Sequence, residues 1–161
     1  MLKNDHKTLP LDAKSLRSLT VIGPFANSTT DLMGGYSGRS LRIASHSPSA
    51  VLQRRLAVVS PSTRLLFSAG AINGANQTDQ ISAAVHTTQQ ADATVLFVGD
   101  THVAEFSDRT YNGLEFAQEQ LIQAVCETGK PVIVIVIAGH SLDLTGKFTS
   151  NLPLRVMCRF F

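Results

Sequence analysis

The sequence predicts an α/β fold in three layers, a mostly parallel sheet sandwiched between helices, and three observations carry that prediction. Short apolar runs with the composition of strands alternate with segments of helical period, one run is apolar on both faces, and the connections are short and glycine-bearing. Strand-helix-strand units joined in this way take right-handed crossovers, which puts helices on both faces of one sheet.

Four runs read as strands: Leu19 to Ile22, Arg64 to Phe67, Thr94 to Val98 and Val132 to Ala138. The last, VIVIVIA, is β-branched until its final residue and follows Pro131; lacking a polar face, it belongs at the centre of a covered parallel sheet. After the first run, Ser47 and Pro48 supply an N-cap and a first-turn proline ahead of Val51, Leu52 and Leu56. A second helix, capped by Thr78 or Asp79, carries Ile81, Ala84, Val85 and Ala91 near 3.6-residue spacing. A third has the stripe Leu114, Ala117, Leu121, Ala124 and Val125 opposite Glu115, Gln118, Glu119 and Gln123, and stops at Gly129 and Pro131. The predicted order is βαβαβαβ in a single domain. Ahead of it MLKNDHKTLPL reads as an arm, and behind it TGKFTSNLPLRVMCRFF keeps neither period.

Composition narrows the function. At 161 residues, 43% hydrophobic and 16% charged, the chain is long enough for one ordinary core. Its fourteen Lys and Arg are dispersed and the net charge is only +2, so no nucleic-acid surface is expected. Cys126 and Cys158 have no Cys or His at ligand spacing, which argues against a metal site and a disulfide framework; no cofactor is expected. The opening stretch lacks the apolar core of a signal peptide and no window reaches transmembrane length, so no membrane partner is expected. The compartment is left open. Asn27-Ser28-Thr29 and Asn76-Gln77-Thr78 are glycosylation acceptors only if the chain, or a longer parent, is extracellular.

Ligands of open parallel sheets bind outside the carboxyl ends of the strands, where GPFANSTTDLMGGYSG, GDTHVAEFSDR and GHSLD fall. Three chemistries compete there. Gly34, Gly35 and Gly38 have neither dinucleotide-fingerprint spacing nor the lysine of a P-loop, and read as a turn. GHSLD resembles a nucleophile elbow with Ser141, but Asp143 stands where the last glycine belongs and no histidine follows His140. GDTHVAEFSDR suits a glycosidase, which needs a carboxyl group to protonate the leaving oxygen and a second to attack or to activate water. Glu105 beside Phe106 is the candidate donor, since an apolar neighbour favours the protonated acid. Asp108 and Arg109 either brace the loop as an ion pair or bond sugar hydroxyls; His102 and His140 either line the cleft or serve as ordinary hydrogen-bonded residues.

LKNDHKTLPLD, LTVIGPFANST, LMGGYSG, ADATVLFVGDTHVAEFSDRT and QEQLIQAVCETGKPVIVIVIAGHSLDL occur in an order that resembles the carboxyl-terminal domain of glycoside hydrolase family 3, the β-glucosidases and β-xylosidases. The resemblance turns GHSLD into that family's G-x-P-x-D turn. It implies an α/β sandwich beside a barrel domain absent from these residues, with the aspartate nucleophile on the barrel and the acid/base glutamate, three positions before the Asp-Arg pair, at Glu105. The implied reaction is retaining, exo-acting hydrolysis of a β-linked oligosaccharide or glycoside, and A-E-F-x-D-R leans toward the xylosidase branch. Residues 1–145 are then an incomplete family domain and 146–161 a divergent tail, as in a fragment of a longer enzyme that is inactive by itself. The rival reading is a non-catalytic carbohydrate-binding or scaffold domain with a sugar surface around Tyr36, Glu105, Asp108 and Arg109.

Overall fold

Each apolar run becomes a strand, and the strands lie side by side in one sheet. The computed structural model describes residues 3–30, 32, 46–72, 75–100, 112–144 and 156–160. In chain order the elements are β1 (Lys3–Asn4), a 3-10 turn (Asp5–Lys7), β2 (Ser18–Ile22), α1 (Pro48–Val59), β3 (Arg64–Ser68), α2 (Ile81–Gln89), β4 (Ala93–Asp100), α3 (Phe116–Cys126), β5 (Val132–Ala138) and β6 (Val156–Phe160). The sheet order is β1-β6-β5-β4-β2-β3, parallel throughout except for the antiparallel β1–β6 pair. The chain is thus an α/β protein with a mostly parallel sheet of six strands.

Two apolar clusters lie on opposite faces of that sheet. On one, Ala84 of α2 and Ala117, Leu121, Ile122 and Val125 of α3 pack on Leu96, Val98, Val132, Val134 and Val136. On the other, Leu52 and Leu56 of α1 join Leu9, Leu11 and Leu16 of the opening segment over Leu19, Val21, Val95 and Phe97. Alternate residues of β4 and β5 face alternate layers, which is why these strands carry no polar face.

Ser47 caps α1 as expected, its Oγ accepting from Ala50 N–H, with Pro48 in the first turn. The start of α2 differs. A turn in which Ile81 N–H bonds to the Thr78 carbonyl at 3.1 Å precedes it, so Gln80 is the N-cap and no side chain caps the helix. On α3 the polar face is reassigned: Gln118, expected among solvated residues, is 0% exposed, whereas Phe116 is 58% exposed. Beyond residue 145, β6 pairs with the free side of β5, Ile133↔Val156 through Ile137↔Phe160, and Met157 joins the α2/α3 core. Lys3–Asn4 of the opening arm closes that edge.

Candidate active site at the carboxyl end of the sheet

The carboxyl ends of β2, β4 and β5 meet on one side of the molecule, and each carries an unusual residue. β2 leaves the sheet at Gly23, with φ +113; a Cβ there would lie 2.1 Å from the Phe97 carbonyl oxygen, so the chain crosses β4 at a distance that only glycine permits. β4 reaches Gly99, with φ +154, where a Cβ would lie 1.8 Å from the Ile137 oxygen of β5. The strand ends one residue later at Asp100, whose side chain is 2% exposed.

Asp100 faces the turn after β5. His140 Nε2 stands 3.8 Å from Asp100 Oδ2, beyond direct hydrogen-bond reach. Among the following residues Ser141 is exposed, Leu142 turns back into the core and Asp143 N–H bonds to the Asn112 carbonyl at 2.7 Å. Residues 141–144 have no regular structure, so the strand-turn-helix that an elbow at Ser141 would need is not formed.

Beside this pair, the Gln118 carboxamide of α3 binds both polar groups of Gly99: Oε1 accepts from its N–H at 2.8 Å and Nε2 donates to its carbonyl at 2.9 Å. Nε2 also donates to Glu115 Oε2 at 3.3 Å. Next to the ends of β2 and β3 a shallow cleft of about 410 Å³ is lined by Gly23, Pro24, Asn27, Phe67, Ala69 and Ile72 among others. Phe67 is 49% and Ile72 44% exposed there. Asn27 Oδ1 accepts from Ser47 Oγ at 3.1 Å and Ser49 Oγ at 2.9 Å, tying the loop after β2 to the start of α1.

With that geometry in view, the chain can be set beside known proteins. Residues 1–153 match the model of the glycosyl hydrolase family 3 C-terminal domain. The chain belongs to that family. It is 34% identical over 161 residues to a β-xylosidase of Formosa agariphila, covering 95% of this chain and 21% of that protein. A β-xylosidase/α-L-arabinofuranosidase of Medicago sativa subsp. varia is 34% identical over 154 residues, covering 94% of this chain and 19% of its own. The chain therefore spans about a fifth of the length of these curated relatives.

Solved structures agree. A family 3 exo-β-xylosidase in complex with a xylobiose aziridine activity-based probe superposes with a TM-score of 0.71 at 31% identity, covering 88% of this chain and 17% of that one. A β-glucosidase from Listeria innocua in complex with gluconolactone shares the fold, with a TM-score of 0.71 at 23% identity over 89% of this chain and 19% of its own. The family 3 domain in these enzymes is one part of a much longer chain.

Of the residues singled out from the sequence, Tyr36, Glu105, Asp108, Arg109 and His102 lie outside the described residues, whereas His140 is seen beside Asp100, and Ser141 and Asp143 in the turn that follows it. Asp100 and Gln118 were missed. A signal for Gln118 was present: it stands four residues after Leu114 and three before Leu121, on the apolar stripe itself. Among the described residues no three His, Cys, Asp or Glu side chains are grouped to hold a metal ion, and no described helix is long and apolar enough to cross a membrane. Both cysteines are free; burial pushes the Cys126 thiol up to about 12.

Proposed function

We propose that this family 3 domain is the acid/base half of a retaining β-glycosidase, a β-xylosidase by preference, with Glu105 as the proton donor and an aspartate nucleophile contributed by a barrel domain. The observation that carries the reading is the agreement between the family match and the topology: a relative named β-xylosidase aligns along 95% of the chain, and the stretch holding Glu105 follows in sequence from Asp100, the carboxyl end of a central strand. In such a mechanism Glu105 protonates the departing oxygen and then, as carboxylate, takes a proton from the water that opens the glycosyl-enzyme ester. Asp108 and Arg109 serve the same arm, as a bracing pair or as partners of sugar hydroxyls, and Tyr36 is proposed as a further sugar contact. The division at residue 145 belongs to the same proposal.

The test replaces the matching segment of the Formosa agariphila β-xylosidase with these 161 residues and follows hydrolysis of 4-nitrophenyl β-xyloside. The hybrid is expected to turn over, and Glu105→Gln to lower kcat by about 10²- to 10⁴-fold. By themselves the 161 residues are expected to show no turnover, since one carboxyl of the pair is elsewhere. Xyloside binding without turnover in the hybrid, unchanged by Glu105→Gln, would instead establish the non-catalytic carbohydrate-binding reading.

A further inference from the structure

The carboxyl end of β4 outruns its neighbour on one side. β2 pairs with it only as far as Ile22↔Leu96, while β5 runs alongside to Asp100↔Ala138. From Phe97 onward, backbone groups that face β2 need partners from outside the ladder, because a buried peptide group left unpaired is costly. The Phe97 carbonyl accepts from Phe25 N–H at 3.4 Å. Gly99, two residues on and turned the same way, is met by the Gln118 side chain at 2.8 and 2.9 Å. A carboxamide offers one acceptor and one donor much as a peptide unit does, so Gln118 stands in for the next residue of β2. Its second Nε2 hydrogen, given to Glu115 Oε2, fixes which end of the amide is which. On the other side β5 leaves Gly99 no room for a Cβ.

We propose that Gln118 is a positioning residue for the segment that leaves β4. By holding both polar groups of Gly99 it fixes the direction in which the chain departs at Asp100, and through that the presentation of Glu105. The catalytic consequence rests on the reading of Glu105 given above; the clamp on Gly99 does not.

The first measurement is amide hydrogen exchange on the 161-residue chain with Gln118, Gln118→Leu and Gln118→Glu. The leucine removes both bonds to Gly99, whereas the glutamate carboxylate can still accept from its N–H but cannot donate to its carbonyl. Amides of residues 97–100 are expected to exchange about tenfold to a hundredfold faster in Gln118→Leu, and by a smaller factor in Gln118→Glu, with β2 and β3 peptides unchanged. If the leucine variant fails to fold, the glutamate variant decides. Unchanged rates at 97–100, or acceleration spread evenly over the sheet, overturn the clamp.

The second measurement uses the hybrid enzyme and two substrates. Methyl β-xyloside needs protonation of its leaving oxygen; 2,4-dinitrophenyl β-xyloside does not. Gln118→Leu is expected to lower kcat/KM about tenfold for the first and less than about twofold for the second, the pattern of a misplaced acid. Equal losses on both overturn the positioning role. Should Glu105→Gln itself fail to discriminate between the substrates, the assignment of Glu105 falls, and the exchange result alone judges the clamp.

Discussion

At the amino ends of β2 and β4 one side chain does the joining: Asp92 accepts from Arg17 N–H at 2.8 Å and Ser18 N–H at 3.0 Å, with the Arg17 guanidinium 3.3 Å away in solvent. At the carboxyl ends of the same strands the joints are buried. Gly23 and Gly99 sit at positive φ against neighbouring backbone, the Gln118 carboxamide replaces a missing strand residue, and Asp100 lies under His140. Water can stand in for the first set of bonds and has no access to the second. The difference teaches where this fold accepts costly local chemistry: at the carboxyl ends of its parallel strands, the end at which open sheets of this kind bind ligands.

The strongest way to break the comparison is to add a methyl group on each side of it. Gly99→Ala and Gly23→Ala push Cβ into backbone oxygens at 1.8 and 2.1 Å, atoms that cannot swing aside as a side-chain tip would. Each is expected to cost about 4 kcal/mol or more, or to abolish folding. Gly129, after α3, is also at positive φ (+73), but a Cβ there meets no atom within 4 Å. Gly129→Ala is therefore expected to cost only about 1–2 kcal/mol, the intrinsic penalty of the left-handed region. Urea denaturation of the three variants measures both the rank and the gap. Similar losses at all three would mean that φ alone, and not the approach of the strands, sets the demand for glycine.

Next in size is Gln118→Leu. Its volume fits, so the loss comes from two Gly99 backbone groups left without the amide in a dry site, about 2–3 kcal/mol together. A loss well under about 1 kcal/mol would show that water or a shifted neighbour replaces the amide, and that the two ends of the sheet are less different than their geometry.

Much of this fold was legible before any coordinates. Val132 to Ala138 was delimited to the residue, because Pro131 and Gly139 bracket a β-branched run that has no polar face. Ser47 and Pro48 marked α1 equally well, since the cap acts through bonds local to it. What failed was non-local. Gln118 was assigned to solvent by its polarity, although its position in the stripe pointed inward; its partner, Gly99, is brought to it only by the crossover from β4 to α3. β6 was unreadable because Arg155 and Arg159 break its short apolar run, and its place beside β5 depends on the whole sheet. Glu105, Asp108 and Arg109 were proposed from their place after the carboxyl end of a strand, with the acid/base role of Glu105 implied by resemblance, and all three lie outside the described residues. No spacing rule singles out Glu105 from an ordinary loop glutamate.

The smallest effect is the most specific test of the amino end. Two backbone donors, Arg17 N–H first and Ser18 N–H second, hold the Asp92 carboxyl below its ordinary range. Its folded pKa is therefore lower than its unfolded one, so the stabilisation it provides is fully present above the unfolded value, about 3.9, and fades as pH falls through the folded value. Asp92→Asn keeps one acceptor but not the charge. The melting-temperature gap between wild type and Asp92→Asn is expected to be constant from about pH 7 to pH 5 and to close below about pH 4. The corresponding gap for Gln118→Leu should not close in the same way, because the bonds it removes belong to groups that do not titrate. If both gaps close together, the acid limb reflects general unfolding rather than Asp92, and the amino end owes its joint to the backbone geometry that the carboxylate merely decorates.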